Sequence, residues 1–237
     1  MSELTPLKRF WLTKASNIPI RYEGWTKERI IEDTGKFPQV IDDWVDKMLD
    51  GQIIRNAGGL GSTGVGLLFD GGPGEGKTTH AVVAAMEFIR RLSDDSTEAR
   101  KILHAKESDY GRNFRAVYYL TFPEFLSMKK ASFDEEPADR REISRYIEGL
   151  HGRAKEDWLN VRLLIIDDLG KENASTYNDT SFDELLRARY DKGLPTIITT
   201  NRMREDWGTQ YGEAMGSFVF EAFDRVRIQN KDLRSRR

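Results

Sequence analysis

The chain of 237 residues contains no cysteine and only three histidines. Disulfides and thiolate zinc sites are therefore excluded, and a metal site built from histidines is not expected. No apolar run reaches the roughly 18 residues of a membrane-spanning helix, and the N-terminus carries no apolar secretion signal. We expect a cytoplasmic protein with no membrane partner.

The chain also has little net charge, although 32% of its residues are charged. A net charge of −2 argues against a globally basic nucleic-acid-binding protein but allows local basic patches. Hydrophobic residues make up 38%, which is enough for the core of one large domain beneath a densely charged surface.

Glycine is concentrated in "FDGGPGEGKTTH", residues 69–80. Gly71, Gly76, Lys77 and Thr78 fit the phosphate-binding pattern G-x-x-x-x-G-K-S/T, between a strand-like and a helix-like apolar run. Glycines let successive N–H groups face one anion, and the helix N-terminus adds its positive end. The predicted ligands are ATP and Mg²⁺, with Lys77 near the β- and γ-phosphates and Thr78 on the metal. The predicted cofactor-binding residues are Gly72, Gly74, Glu75, Gly76, Lys77, Thr78 and Thr79. The alternative is a glycine-rich turn that binds nothing.

Two carboxylates follow the apolar run in "VRLLIIDDLG". This run is typical of a parallel strand covered on both faces, and ligands of such sheets lie at the carboxyl ends of strands. We therefore assign Asp167 to the Mg²⁺, in the Walker-B role, and Asp168 to the general base that polarises water. The alternative is an acidic end of a strand without catalytic function.

A further strand, "LPTIITTN", ends in Asn201, which we predict to hold the attacking water. A simple turn after the strand is the alternative. The remaining pattern predicts a strand over residues 116–120, a helix capped by Thr121 and Glu124, and a helix that starts at a capping box, Ser181 to Glu184. A last helix precedes a strand near residues 226–229. Alternating strands and helices predict an α/β fold with a parallel sheet flanked by helices.

In their order and spacing, "IPIRYEGW", "GGPGEGKT", "LLIIDDLGKE", "RYDKGLPTIITTNR" and "FDRV" resemble AAA+ ATPases of the DnaC/IstB type. These are bacterial and phage helicase loaders and transposition helpers. The resemblance implies an AAA+/ASCE phosphate-loop fold, with a short helical N-terminal extension and little or no separate lid domain. It divides the chain into an N-terminal segment, residues 1–55, and an ATPase domain, residues 56–237. It also places Arg21 and Tyr22 on the adenine side of the site.

The same resemblance implies roles for single residues. Asp167 coordinates Mg²⁺, Asp168 replaces the usual glutamate, and Asn201 is sensor 1. Arg225 matches the arginine finger that completes a neighbouring subunit's site; the alternative is a surface arginine paired with Glu221 on one helix face. Arg234 would be a sensor-2-like residue, although the family's serine and aromatic residue are replaced just before it.

By resemblance, the function is that of an ATP-dependent helicase loader in DNA replication. The chain would form a homo-oligomer with active sites between subunits and would engage single-stranded DNA and a replicative hexameric helicase. Three alternatives remain: an IstB-like transposition helper, a small-molecule kinase, and a nucleotide-gated binding module with negligible hydrolysis.

Three surface features accompany these motifs. Leu7, Phe10 and Trp11 form an apolar face that either docks the helicase or packs on the ATPase body. Residues 93–115 form a polar stretch longer than a usual connection, predicted to be a solvated insertion, with a specific partner contact as the alternative. The candidate DNA contacts are basic side chains with acidic neighbours, so a plain solvated surface is the alternative: Lys129, Lys130, Arg140 and Arg141.

Overall fold

The computed structural model describes residues 4–53, 63–134, 136–170 and 175–230. The described helices are α1 (Pro6–Phe10), α2 (Lys27–Thr34), α3 (Gln39–Leu49), α4 (Lys77–Arg91), α5 (Ser96–Leu103), α6 (Phe122–Asp134), α7 (Pro137–Leu150), α8 (Thr176–Asp191), α9 (Trp207–Tyr211) and α10 (Glu213–Ala222). The described strands are β1 (Gly66–Gly71), β2 (Val117–Thr121), β3 (Leu163–Leu169), β4 (Thr196–Thr200) and β5 (Phe223–Ile228). Short 3₁₀ or π turns occupy residues 11–15, 20–22, 157–159 and 204–206. Within these ranges, no helix combines the length and the apolar character needed to cross a membrane.

The strands form one parallel sheet in the order β2-β3-β4-β1-β5. Residues 163–166 of β3 are fully buried, because helices cover both faces of the sheet. The predicted parallel α/β fold is therefore confirmed. β1 and β3 lie on either side of β4, so the phosphate loop, the Asp167–Asp168 pair and Asn201 leave the sheet at neighbouring points of one edge.

Side chains alternate between the two faces of each strand, and this alternation positions the site. One face packs against α3, α4 and the N-terminal segment in a cluster that includes Phe69 of β1 and Ile165 of β3. The opposite face packs against α6, α8 and α10 and includes Leu68 and Ile166. Asp167 thus projects toward α4, the helix that follows the phosphate loop.

The N-terminal segment packs on the sheet. Trp11 is 1% exposed and donates from Nε1 to the carbonyl of Gly111 at 2.9 Å. Its ring also contacts Tyr110 and Phe114, which belong to the stretch predicted as a solvated insertion. Trp11 is therefore a core residue, not part of a free docking face, and the insertion is partly a packing partner. The proposed boundary between residues 55 and 56 lies outside the described residues.

Two local predictions were wrong. α8 begins at Thr176, where the Ser175 hydroxyl accepts the N–H of Asn178 at 3.2 Å. Ser181 and Glu184 lie inside this helix, because a capping-box spacing also occurs between residues on one helical face. β5 starts directly after α10, so Arg225 lies in a strand, and the alternative that paired it with Glu221 on one helix fails.

The cap predicted for α6 is confirmed. The N–H of Thr121 donates to Glu124 Oε2 at 2.7 Å, and the N–H of Glu124 donates to Thr121 Oγ1 at 3.3 Å. This reciprocal pair satisfies two N–H groups at the start of the helix.

Candidate nucleotide-binding site

The loop after β1 presents the N-terminus of α4. Gly74 and Gly76 have φ values of +81° and +92°, in the left-handed region that glycine adopts at little cost. α4 begins at Lys77, and the N–H of His80 is bonded to the carbonyl of Gly76 at 3.0 Å. The N–H groups of the first helical residues have no partner within a helix, so this end suits an anion.

Lys77 and Glu75 brace the loop. Lys77 is 8% exposed, and its Nζ donates to the carbonyls of Gly71 at 3.0 Å and Gly72 at 2.6 Å. The N–H of Gly72 donates to Glu75 Oε2 at 2.5 Å. Asn230, just after β5, donates to the Glu75 carbonyl at 3.1 Å. The Lys77 ammonium is thus placed at the loop, where the motif requires it.

Asp167 is the centre of a buried polar cluster. It is 2% exposed, and its Oδ1 accepts hydrogen bonds from the hydroxyls of Thr78, at 2.7 Å, and Thr199. Its Oδ2 accepts the Tyr119 hydroxyl at 2.6 Å. The structure therefore brings together the two predicted magnesium ligands, Thr78 and Asp167. Hydroxyl and carboxylate oxygens are the hard ligands that Mg²⁺ prefers, so these residues fit the ion.

Asp168 has an unusual backbone. Its φ is +62°, and the register between β3 and β4 shifts between Ile166 and Leu169. The Asp168 N–H donates to Thr199 Oγ1 at 3.1 Å. Non-glycine residues in the left-handed region and bulges both concentrate at functional sites. The bulge separates the two carboxylates: Asp167 stays with the buried cluster, whereas Asp168 is only partly buried.

Asn201 follows the last residue of β4, between β1 and β3, and is exposed. In the sheet, its neighbour Thr200 pairs with Asp70, one residue before the phosphate loop. This is the position predicted for a residue that holds water between the phosphates and the carboxylates. Its role stays a prediction.

Arg225 is bound by carboxylates of its own subunit. Its Nε and Nη2 contact Asp70 Oδ2 at 2.8 and 2.7 Å, and its Nη2 contacts Glu205 Oε2 at 3.0 Å. Asp70 is fully buried, and by strand alternation it lies on the sheet face opposite α4. Arg225 thus lies away from the Thr78–Asp167 cluster of its own chain. The arginine-finger role stays a prediction.

Sequence reasoning missed two hydroxyls of the cluster, those of Tyr119 and Thr199. Burial, together with the negative charge of Asp167, raises the pKa of Tyr119 above its usual range, so its hydroxyl stays a donor at neutral pH. The alternation of side chains along each strand could have predicted both hydroxyls. Tyr119, Asp167 and Thr199 all project to the α4 face of adjacent strands.

Tyr22 is another neighbour of the cluster. Tyr22 is 7% exposed. Burial raises the pKa of Tyr22, and interactions with Arg21 and Thr78 partly offset this increase. The segment predicted to lie on the adenine side therefore places this ring beside Thr78, at the phosphate end. The family resemblance placed Tyr22 on the adenine side, and the structure adds Thr78 as its neighbour.

The candidate DNA-binding residues lie on α6 and α7. Lys129 is half-buried, with its Nζ at 3.6 Å from Glu184, whereas Lys130, Arg140 and Arg141 are exposed. Arg234, the sensor-2-like candidate, lies outside the described residues.

Comparison with solved structures identifies the fold. The structure of the DnaC helicase loader superposes with a TM-score of 0.52 at 19% identity and covers 89% of this chain and 100% of that one. The DnaI structure superposes with a TM-score of 0.54 at 17% identity, and the match covers 90% of this chain and 96% of that one. The replication initiator DnaA bound to AMPPCP and single-stranded DNA gives 0.53 at 16% identity, covering 88% of this chain and 51% of that one.

No family model and no curated protein sequence matches the chain. The similarity is therefore one of fold, since every identity quoted is below 20%. The chain has the fold of the DnaC and DnaI structures, as the resemblance in its sequence predicts.

Proposed function

We propose that the chain is an ATP-dependent DNA helicase loader that acts in DNA replication. The observation that carries the proposal is the contact of 2.7 Å between Thr78 Oγ1 and Asp167 Oδ1, beside the N-terminus of α4. Two motifs 89 residues apart meet there, as a magnesium and phosphate site requires, on a fold shared with the DnaC helicase loader.

Each residue of the site has a separate role in nucleotide binding or hydrolysis. The N–H groups at the start of α4 and the Lys77 ammonium bind phosphates, and Thr78 and Asp167 hold Mg²⁺. The metal, when bound, neutralises phosphate charge. Asp168 accepts a proton from water, and Asn201 orients that water. The structure of DnaA with AMPPCP supports nucleotide binding by this fold.

Oligomerisation and DNA binding complete the proposal. Arg225 acts on the nucleotide of a neighbouring subunit, so hydrolysis depends on assembly. Lys130, Arg140 and Arg141, exposed on α6 and α7, contact the phosphates of single-stranded DNA. The DnaA structure, which contains single-stranded DNA, supports this use of the fold. The partner is a hexameric replicative helicase.

The nucleotide site is tested by Lys77→Ala, with Lys130→Ala as the control for loss of one lysine elsewhere. We expect K77A to abolish binding of ATP, measured by calorimetry, and K130A to bind as the wild type does. Normal ATP affinity in a folded K77A protein would contradict the site.

The identity of the protein partner is tested by co-purification with host replication proteins in the presence and absence of ATP. We expect capture of a hexameric helicase and stimulation of ATP hydrolysis by single-stranded DNA. Capture of a transposase would instead favour the IstB-like helper, and phosphoryl transfer to a nucleoside would favour a kinase. Bound ATP without measurable turnover would favour the binding module.

The finger is tested by Arg225→Lys, which keeps a cation beside Asp70 but loses the planar fork. We expect nucleotide affinity to be spared and turnover to fall. Turnover equal to that of the wild type would remove Arg225 from the mechanism.

A further inference from the structure

We propose that Tyr119 is a positioning residue for the magnesium-binding carboxylate of Asp167, and that the N-terminal segment at Ser16–Asn17 holds Tyr119 in place. This inference rests on the proposed function, because it concerns the same Mg-ATP site. It links the magnesium site to a part of the chain that lies 60 residues before Lys77 in sequence (77 minus 17).

The bond between Tyr119 and Asp167 orients the carboxylate. Tyr119 donates to Oδ2, whereas Thr78 and Thr199 both donate to Oδ1. Tyr119 is therefore the described hydroxyl partner that fixes the second oxygen, and its loss would let the carboxylate rotate about its terminal bond. Loss of a partner that orients a metal ligand typically lowers metal affinity by about 10- to 100-fold.

The main chain of Tyr119 is fixed from the outer edge of the sheet. β2 is an edge strand, paired on one side with β3. On its other side, the N–H of Tyr119 donates to the Ser16 carbonyl at 2.7 Å. The Asn17 Nδ2 donates to the Tyr119 carbonyl at 3.0 Å. The edge of the strand is thus closed at this residue by Ser16 and Asn17.

The N-terminal segment is itself anchored at this point. Ser16 is fully buried, and its hydroxyl donates to the Leu12 carbonyl at 2.8 Å. Asn17 has a φ of +56°, a conformation that asparagine tolerates better than most residues, and its amide thereby reaches β2. The left-handed backbone of Asn17 and the bond from its amide to the Tyr119 carbonyl occur at the same residue, so the contact has a specific geometry.

The neighbouring residue Tyr118 provides a matched control. It lies on the opposite face of β2 and contacts the Tyr146 ring, with the two centroids 5.6 Å apart. Tyr118→Phe and Tyr119→Phe each remove one hydroxyl from the same strand, but only Y119F removes a bond to Asp167.

The experiment measures binding of a fluorescent non-hydrolysable ATP analogue as Mg²⁺ is varied, and again in EDTA. We expect Y119F to raise the Mg²⁺ concentration for half-maximal binding by about tenfold and to leave binding in EDTA unchanged. Y118F should behave as the wild type. A purely space-filling role of Tyr119 would leave the Mg²⁺ dependence unchanged, which would overturn the proposal, as would an equal shift in Y118F.

The experiment distinguishes failure of the proposed function from failure of this inference. If the wild type binds no nucleotide at any Mg²⁺ concentration, the proposed function fails; if the wild type binds normally and only the Y119F shift is missing, this inference alone fails. Should Y119F not fold, Asn17→Gly decides, because glycine accepts the same φ but lacks the amide. A shift of the Mg²⁺ dependence in N17G supports the coupling, and an unchanged dependence overturns it.

Discussion

Replacing Arg225 by alanine is expected to destabilise the fold, quite apart from any effect on catalysis. The Asp70 carboxylate is fully buried, and Arg225, whose side chain is 19% exposed, contacts its Oδ2 through two nitrogens. The N–H of Arg204 also donates to Oδ2, at 3.2 Å, whereas Oδ1 has no hydrogen-bond partner among the described residues. Removing the guanidinium would therefore leave a buried charge with little compensation.

Breaking a buried ion pair from one side costs about 3–5 kcal/mol. For a chain of this size, each kcal/mol corresponds to a change in melting temperature of roughly 2–4 °C, so R225A should melt roughly 6–20 °C lower. The assays are thermal and urea denaturation followed by circular dichroism, with the m-value in urea checked for constancy. Arg227→Ala is the control: Arg227 is exposed and lies two residues later on β5, so its loss should change the free energy of unfolding by less than about 0.5 kcal/mol.

Asp70→Asn combined with R225A removes the unpaired charge, so the double variant should be more stable than R225A. An R225A protein within about 1 kcal/mol of the wild type would refute the reasoning, since it would mean that Asp70 needs no cation. A double variant no more stable than R225A would do the same. The same reasoning explains why the finger is tested with Arg225→Lys, because lost turnover in an unfolded R225A protein would say nothing about catalysis.

Two further predictions concern residues remote from the site. Arg189 is fully buried and donates to the carbonyls of Leu150, Val161, Arg162 and Pro195 and to the Thr196 hydroxyl. Arg189→Met should lower the free energy of unfolding by roughly 3–5 kcal/mol in urea denaturation, because these acceptors lose their donor; a loss below about 1 kcal/mol would contradict this. Burial lowers the pKa of His151, so the unfolded state binds the proton more readily, and the free energy of unfolding should fall as pH drops below about 6.5. His151→Gln should show a weaker dependence on pH than the wild type; equal slopes would show that His151 does not contribute.

The sequence was sufficient for the fold and for the prediction that Thr78 and Asp167 lie close together, which the structure shows. The motif at residues 71–78, together with the apolar runs on either side of it, predicts a strand, a loop and a helix, because its glycines, lysine and threonine are needed at fixed spacing. The apolar run before Asp167 required burial on both faces and so a parallel sheet. Element boundaries were less accurate: the start of α8 and the start of β5 both differ from prediction, because a capping-box spacing is not unique to a helix start and a helix can pass directly into a strand.

The sequence by itself determined that this chain has a parallel α/β fold with a phosphate loop and an acidic strand end, because those features depend on local spacing and on the period of apolar residues. Only the tertiary structure decided which hydroxyls surround Asp167, that Arg225 is bound to a buried Asp70, and that Ser16 and Asn17 close the strand edge at Tyr119. In sequence, Asp167 is 48 positions from Tyr119 and 32 from Thr199. Arg225 is 155 positions from Asp70, and Asn17 is 102 from Tyr119. Strand order and helix packing set such distances, and no local pattern of residues encodes them.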